Sequence, residues 1–331
     1  KRVAIIGAGP AGLSAALYSG RDRHKTLLLD KAGIPGGQIL LTERIENFPG
    51  YETISGFELI SRMQKQVGSL GVEIITSSQA TDLHQRDDEI FEIHVNHGEK
   101  TYLAKAVILS PGSDYRQLGV PGEEVMRQAT RVSYCATCDG AFYKDKIVLT
   151  VGGGNTAVED AIYLAERFAK KTILIHRRKE FRAEKVLVEE LYRKAEKYDI
   201  EIKLPYVLVE IVPTTDKKEI DHVVIENVQT GQREKFHVDG VFIFAGMVPN
   251  TAWLKGTVGL DEAGYIACDS RTLQTSLRGV FAAGDCRSGA PMQLVTACAD
   301  GVVAALMIRQ YLKNPSAWAQ AAAEVSTSGE W

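Results

Sequence analysis

Short β-branched runs, glycine clusters and helical spacing follow one another along the chain in an order that occurs twice. Val3–Ile6 is an apolar run ending at Gly7, a helical pattern follows from Leu13 to Tyr18, and a second apolar run spans Thr26–Leu29. The order returns as Ile147–Val151, a glycine cluster, a helix predicted from Val158 to about Phe168, and the run Thr172–Ile175. Strand, glycine turn, helix and strand in sequence predict a parallel α/β unit, and the recurrence predicts two. Elsewhere the alternation has period two. Glu89–Val95 and Thr101–Leu109 read as paired strands across Asn96-His97-Gly98; His222–Val228 and Arg233–Ile243 read the same way across Gln229-Thr230-Gly231. Ser55–Leu70 reads as a helix with Ile60, Met63 and Val67 on one face and Gly71 as its stop, and another helix is expected over roughly 182–197.

At 331 residues the chain has room for about two domains of ~150 residues each. A hydrophobic share of 45% with 24% charged residues suits a packed core. The 30 glycines exceed ordinary usage of about 7% and ask where backbones approach closely. A net charge of −3 and the lack of any nucleic-acid motif argue against a nucleic-acid or membrane surface. Lys1-Arg2 followed by apolar residues to Tyr18 imitates a signal peptide, but Gly7, Gly9, Pro10 and Gly12 interrupt it. No run approaches the ~18 apolar residues of a membrane span, so a cytoplasmic location is expected.

Gly7-Ala8-Gly9-Pro10-Ala11-Gly12, between strand and helix, has the spacing of a dinucleotide fingerprint. Gly7 permits the tight turn, Gly9 lets a pyrophosphate reach the backbone, and Gly12 lets helix and strand pack closely. Asp30, 23 residues after Gly7, stands where an acid binds ribose hydroxyls. The second unit reads Gly152-Gly153-Gly154-Asn155-Thr156-Ala157, and its second strand ends in His176-Arg177-Arg178 instead of an acid. Guanidinium groups at this place supply charge-assisted bonds to a 2′-phosphate, which favours NADPH. The competing reading is a solvated charge run, since Lys179, Arg182 and Lys185 follow. Two such units imply a flavin and a nicotinamide, with FAD on the acid-ended first unit.

Cys135-Ala136-Thr137-Cys138 precedes the second unit, and its spacing can close a small disulfide or share a metal. A structural zinc needs four ligands; Cys268, Cys286 and Cys298 offer no second close pair, and His94 and His97 lie on the first hairpin. A redox disulfide is favoured and no metal is expected. Asp139 could pass a proton during thiol exchange, or it could simply form an Asp-Gly turn.

These segments, with Tyr115–Gly122, His176–Ala183, Val248–Thr251 and Phe281–Asp285, resemble the motifs of bacterial low-molecular-weight thioredoxin reductases over Val3 to about Leu312. The resemblance implies an α/β fold of two Rossmann-like, three-layer ββα dinucleotide-binding domains, the second inserted into the first. It places an FAD domain at 1–113 and 247–331 and an NADPH domain with the disulfide at 114–246. It implies a homodimer that passes electrons from NADPH through FAD and Cys135–Cys138 to thioredoxin. Pro10, Ala11, Gly37, Gln38, Asn47, Gly112, Gly284, Asp285, Gln293 and Leu294 would join the FAD site, and Gly152, Gly154, Asn155, Thr156, His176, Arg177, Arg178 and Arg182 the NADPH site. Nicotinamide and disulfide would then ride on one domain while both must reach the flavin, so a rotation about Pro111–Ser113 and Ala245–Met247 is expected.

Some positions depart from the family. Ser110-Pro111-Gly112-Ser113 replaces Ala-Thr-Gly-Ala, and Met292 stands where an arginine is usual. Cys286 and Cys298 read as buried small hydrophobes. After Asn314-Pro315, the segment through Trp331 carries Trp318 and Trp331, two of three tryptophans. A docked tail with an indole on the flavin or across the dimer would compete with nicotinamide. That keeps ferredoxin as an alternative donor, beside a flavin-based redox sensor as an alternative role.

Overall fold

A computed structural model gives the fold and describes residues 2–42 and 45–318. It divides into two compact units, Lys1–Asp114 with Val248–Trp331, and Tyr115–Met247.

The first unit is built on a parallel sheet of β1 (Arg2–Ile6), β2 (Lys25–Leu29), β3 (Glu73–Ile75), β7 (Ala106–Leu109) and β18 (Val280–Ala282), in the order β18-β7-β1-β2-β3. Helix α1 (Pro10–Arg21) joins β1 to β2, α2 (Gly56–Gly68) precedes β3, and α7 (Leu294–Lys313) follows β18. Between β3 and β7 runs an antiparallel meander of β4 (Ala80–Gln85), β5 (Phe91–Val95) and β6 (Lys100–Ala104). Successive strand side chains point to opposite faces. Val3 and Ile5 accordingly join Leu13, Ile60 and Ile308 on the helix side, while Ala4 and Ile6 join Leu83, Phe91 and Ile93 on the meander side. The result is three layers.

The second unit repeats this plan. It holds α3 (Glu123–Gln128), β9 (Val132–Ser133), α4 (Ala136–Asp139), β10 (Ile147–Val151), α5 (Asn155–Arg167), β11 (Lys171–Ile175) and α6 (Lys185–Ala195). The strands β12 (Ile200–Lys203), β13 (Tyr206–Pro213), β14 (Ile220–Asn227), β15 (Arg233–Phe236) and β16 (Gly240–Ile243) complete it. Its parallel sheet runs β12-β11-β10-β16-β9, and its meander is β13-β14-β15. Ile6 pairs with Leu29 in the first unit as Val151 pairs with Ile175 in the second. Both units are Rossmann-like α/β folds, the second inserted in the sequence of the first. The chain crosses between them in β8 (Ser113–Tyr115) and β17 (Met247–Pro249), which pair as two strands.

Three expectations change. The strand expected over Thr101–Leu109 is two: β6 pairs with β5, and after Lys105 β7 enters the parallel sheet beside β1. The strand expected over Arg233–Ile243 divides in the same way, β15 pairing with β14 and β16 with β10. In both places the alternate burial of a meander strand gives way to four consecutive buried residues, Ala106–Leu109 and Gly240–Ile243. Parallel strands covered on both faces read as continuous apolar runs. The helix expected from Arg182 begins at Lys185, because the backbone N–H groups of Arg182 and Ala183 donate to Gly153 O and that of Glu184 to Asn155 Oδ1.

One helix among the described residues, α7, is long and apolar enough by composition to cross a membrane. In this fold it packs along α1 and buries Ala297, Gly301, Ala304, Ala305 and Ile308. The Trp318 indole is edge-on to Phe281 and Tyr311 at 5.6 and 6.2 Å, where it packs against the helix-side core. That indole is engaged by its own unit; Trp331 lies outside the described residues.

Candidate active site

The first glycine turn is held by close backbone approach. Gly7 has φ +102°, and a Cβ there would lie 2.1 Å from Ser110 O; one on Gly12 would lie 1.8 Å from Gly7 O. Ser110, where the family pattern has alanine, adds a tie: its hydroxyl donates to Ile6 O and Gly7 O, both at 3.0 Å. Pro10 opens α1, and the first intrahelical bond is Leu13 N–H to Gly9 O, so the N–H groups of Ala11 and Gly12 precede the ladder and can meet phosphate. Across from the turn, a Cβ on Gly37 would stand 3.2 Å from Gly9 Cα, so two bare backbones face each other. Gln38 donates its amide to Ser113 O. Asn47 is exposed.

Asp30 is buried, and each of its carboxylate oxygens accepts a backbone N–H, Ala8 at 2.5 Å and Ala32 at 2.8 Å. It therefore shapes the turn. On the other side of α1, Asp300 of α7 is gripped by Arg287 through two bonds of 2.6 and 3.0 Å and accepts the Gly284 N–H at 3.0 Å. This network, absent from the sequence reading, fixes the Gly284–Asp285 loop. Met292 takes a left-handed φ of +54° just before Gln293, the N-cap of α7, which shares a capping box with Thr296; Leu294 opens the helix and packs beside Ile45, Ile54 and Leu59.

Asp285 is pushed up to about 6, first by burial and then by the Asp300 charge, with Arg287 opposing. Polyol hydroxyls donating to this carboxylate would favour its charged form, so FAD binding should release a proton. The sign follows: affinity of the apoprotein for FAD rises with pH, by up to about tenfold per unit below pH 6, and levels above it. Flavin fluorescence titrations from pH 5 to 7.5 check this, and Asp285→Asn should flatten the profile. An unchanged slope in that variant would assign the proton elsewhere.

In the second unit Gly154 caps α5. His176 is buried beside Gly153, stacks on Phe181 at 5.8 Å, and is held below the usual imidazole range by burial and then by Arg182, Arg177 and Arg178. These three arginines are exposed, and no ion pair engages them among the described residues. Asn155 exchanges bonds with Glu184, 3.0 Å from its Nδ2 and 2.9 Å to its Oδ1, which ties the start of α5 to α6; Thr156 stays exposed.

Cys135 and Cys138 form a disulfide of S–S 2.03 Å. Asp139, half-buried and with its carboxyl raised by desolvation, accepts a 2.6 Å bond from Ser133 Oγ, which also accepts the Cys135 N–H at 3.1 Å. Sequence reading missed Ser133. It links a protonatable carboxyl to the disulfide backbone. Cys286 is fully buried with its thiol pushed up to about 12, and Cys268 to about 11, also by burial; neither is a ready nucleophile. No cluster of metal-ligating side chains occurs among the described residues.

Two nucleotide turns and a disulfide beside the second define the class of pyridine nucleotide-disulphide oxidoreductases, and the family model of that description matches residues 1–301. The chain is 38% identical over 314 residues to the thioredoxin reductase of Bacillus subtilis (strain 168), covering 94% of this chain and 95% of that protein. It is 40% identical over 315 residues to that of Rickettsia prowazekii (strain Madrid E), covering 95% and 98%. A solved thioredoxin reductase from Streptococcus pyogenes MGAS5005 superposes with a TM-score of 0.85 at 39% identity, covering 94% and 97%. One from Giardia duodenalis gives 0.84 at 34%, covering 94% and 98%. The chain belongs to the low-molecular-weight thioredoxin reductase family of flavin disulfide oxidoreductases, which use FAD and NADPH.

Proposed function

We propose that the protein is an NADPH-dependent thioredoxin-disulfide reductase whose Cys135–Cys138 pair carries electrons to the disulfide of a thioredoxin. One observation carries this reading: the disulfide turn packs on α5, the helix that opens at the second glycine turn, with the half-buried Asp139 at its end. The bare-backbone cradle of Gly9 and Gly37 fits FAD, with Ala11, Gly12, Asp30, Asp285 and Gln293 around it, and FAD supplies two-electron storage between nicotinamide and disulfide. Gly152–Gly154 and the N-terminus of α5 would take the NADPH pyrophosphate, and Arg177, Arg178 and Arg182 its 2′-phosphate. A Cys135 or Cys138 thiolate attacks the substrate disulfide through a mixed disulfide, and Asp139 with Ser133 holds the proton that the exchange moves.

The assignment of the FAD and NADPH domains, their alternation about the two connectors and assembly as a homodimer belong to the same reading and rest on the resemblance; a cytoplasmic setting belongs to it too and rests on the sequence pattern. Ferredoxin as donor loses the support of Trp318, which is packed into its own unit. Anaerobic mixing of the holoenzyme with NADPH, NADH or reduced ferredoxin tests the donor. NADPH should bleach the flavin at far lower concentration than NADH, and added thioredoxin should give sustained NADPH consumption. Bleaching by ferredoxin alone would replace the donor, and a single reduction without turnover would indicate a sensor.

A further inference from the structure

The glycine turns, the disulfide and Asp139 leave the half-buried carboxyl of Asp160 without a role. Asp160 lies on α5, and helical spacing puts it on one face with Tyr163 and Leu164. That face is covered by the disulfide segment. Leu164 is fully buried with Ala136 and Tyr143, and Tyr163 packs against the same cluster. A Cβ on Gly140 would come within 3.0 Å of both Leu164 Cδ2 and Phe168 Cδ2, so the segment rests directly on the helix. One turn nearer the start of α5, the Asp160 carboxylate meets the backbone N–H of Ala136, the residue after Cys135.

We propose that Asp160 is a positioning residue of the disulfide centre: its carboxylate anchors the Ala136 N–H to α5 and takes up a proton when the Cys135–Cys138 bond opens. Two electrons from NADPH and one proton from water convert the disulfide to one thiol and one thiolate, breaking only the S–S bond. The thiolate is a new anion in the short segment whose Ala136 N–H meets Asp160, and like charge favours the neutral carboxyl. A second proton from water then goes to Asp160. Burial has already brought this group up to about 6, with a smaller push from Glu159 and with the Ala136 N–H opposing. The other charged groups packed around α5 are engaged elsewhere. Asp139 is held by Ser133, Lys194 of α6 by Glu166, Arg193 of α6 by Glu190, Glu184 by Asn155, and Lys171 of β11 by Glu201 of β12.

This inference rests on Cys135–Cys138 being the redox pair, so the test separates the two. The holoenzyme is equilibrated in glutathione redox buffers from pH 5.5 to 8, thiols are trapped by alkylation, and the fraction reduced is read by mass spectrometry. Forming each glutathione disulfide releases two thiol protons, of which the reduced cysteine pair takes one and Asp160 the other, so between pH 6 and 7.5 the equilibrium constant for reduction should stay nearly flat in the wild type and rise by up to about tenfold per pH unit in Asp160→Asn. The isosteric amide keeps an acceptor for Ala136 N–H, so far-UV circular dichroism and flavin absorbance should match. Glu159→Gln, altering an exposed neighbour, should keep the wild-type slope. Parallel profiles for wild type and Asp160→Asn, or the same rise with pH in Glu159→Gln, would overturn the assignment. If neither cysteine is trapped at any buffer ratio in the wild type, it is the redox-pair reading that fails.

Discussion

Cys135→Ser and Cys138→Ser should each lower NADPH-driven reduction of thioredoxin by on the order of 10⁴-fold or more, while flavin content stays unchanged. Members of a unit that acts together fail together, so either single change should cost nearly as much as the double variant. The flavin should survive because both cysteines lie in the second unit, while the Gly7–Gly12 turn and Asp285 lie in the first. NADPH should still bleach the flavin in either variant. Steady-state thioredoxin assays beside anaerobic absorbance spectra separate the two effects. Substantial thioredoxin turnover in a serine variant would move the exchange to other thiols. Cys268 and Cys286 are poor substitutes, since burial holds both thiols protonated at neutral pH.

Gly12→Ala should be among the most damaging single-methyl changes in the first unit. The added carbon would fall 1.8 Å from Gly7 O, in the turn proposed to meet the pyrophosphate, and 2.9 Å from Ser110 Oγ, which braces that turn. Neither can yield alone, because Ser110 donates to the carbonyls of Ile6 and Gly7. Overpacking against backbone costs about 3 kcal/mol, which corresponds to about a 150-fold loss of FAD affinity if it falls on the bound turn. Thermal unfolding and flavin content of the purified protein measure both. Gly68→Ala is the control: no atom lies within 4 Å of its added carbon, and a helical alanine should be neutral or slightly stabilising. Normal flavin content in Gly12→Ala would mean that the turn is not the pyrophosphate site.

The glycine turns were legible because their chemistry is local. Tight turn, helix start and strand end fall within a few residues, and the unit recurs with the same order. The boundaries that misled, near Lys105 and between Phe236 and Gly240, mark places where the chain leaves a meander for a parallel sheet. Apolar alternation on the two sides is similar, and only tertiary cover distinguishes them. Ser133, Arg287 and Asp300 were invisible for another reason. Arg287 and Asp300 act through each other across a loop and a helix start, and Ser133 carries no motif of its own and is marked only by its bonds to Asp139 and Cys135. Asp160 did leave a signal: an acid on a helix face otherwise made of Ala157, Ala161 and Leu164, all buried. Arg177, Arg178 and Arg182 were legible as a basic run, but that no ion pair engages them among the described residues needed coordinates.

The central claim is that electrons from NADPH arrive at Cys135 and Cys138. It is tested most directly by adding a small excess of NADPH to the holoenzyme without oxygen, quenching with an alkylating reagent, and mapping the labelled cysteines by mass spectrometry. The account predicts new labels on Cys135 and Cys138 together, with Cys268, Cys286 and Cys298 labelled no more than before NADPH. An intact Cys135–Cys138 disulfide after the flavin has been reduced and allowed to equilibrate would contradict it.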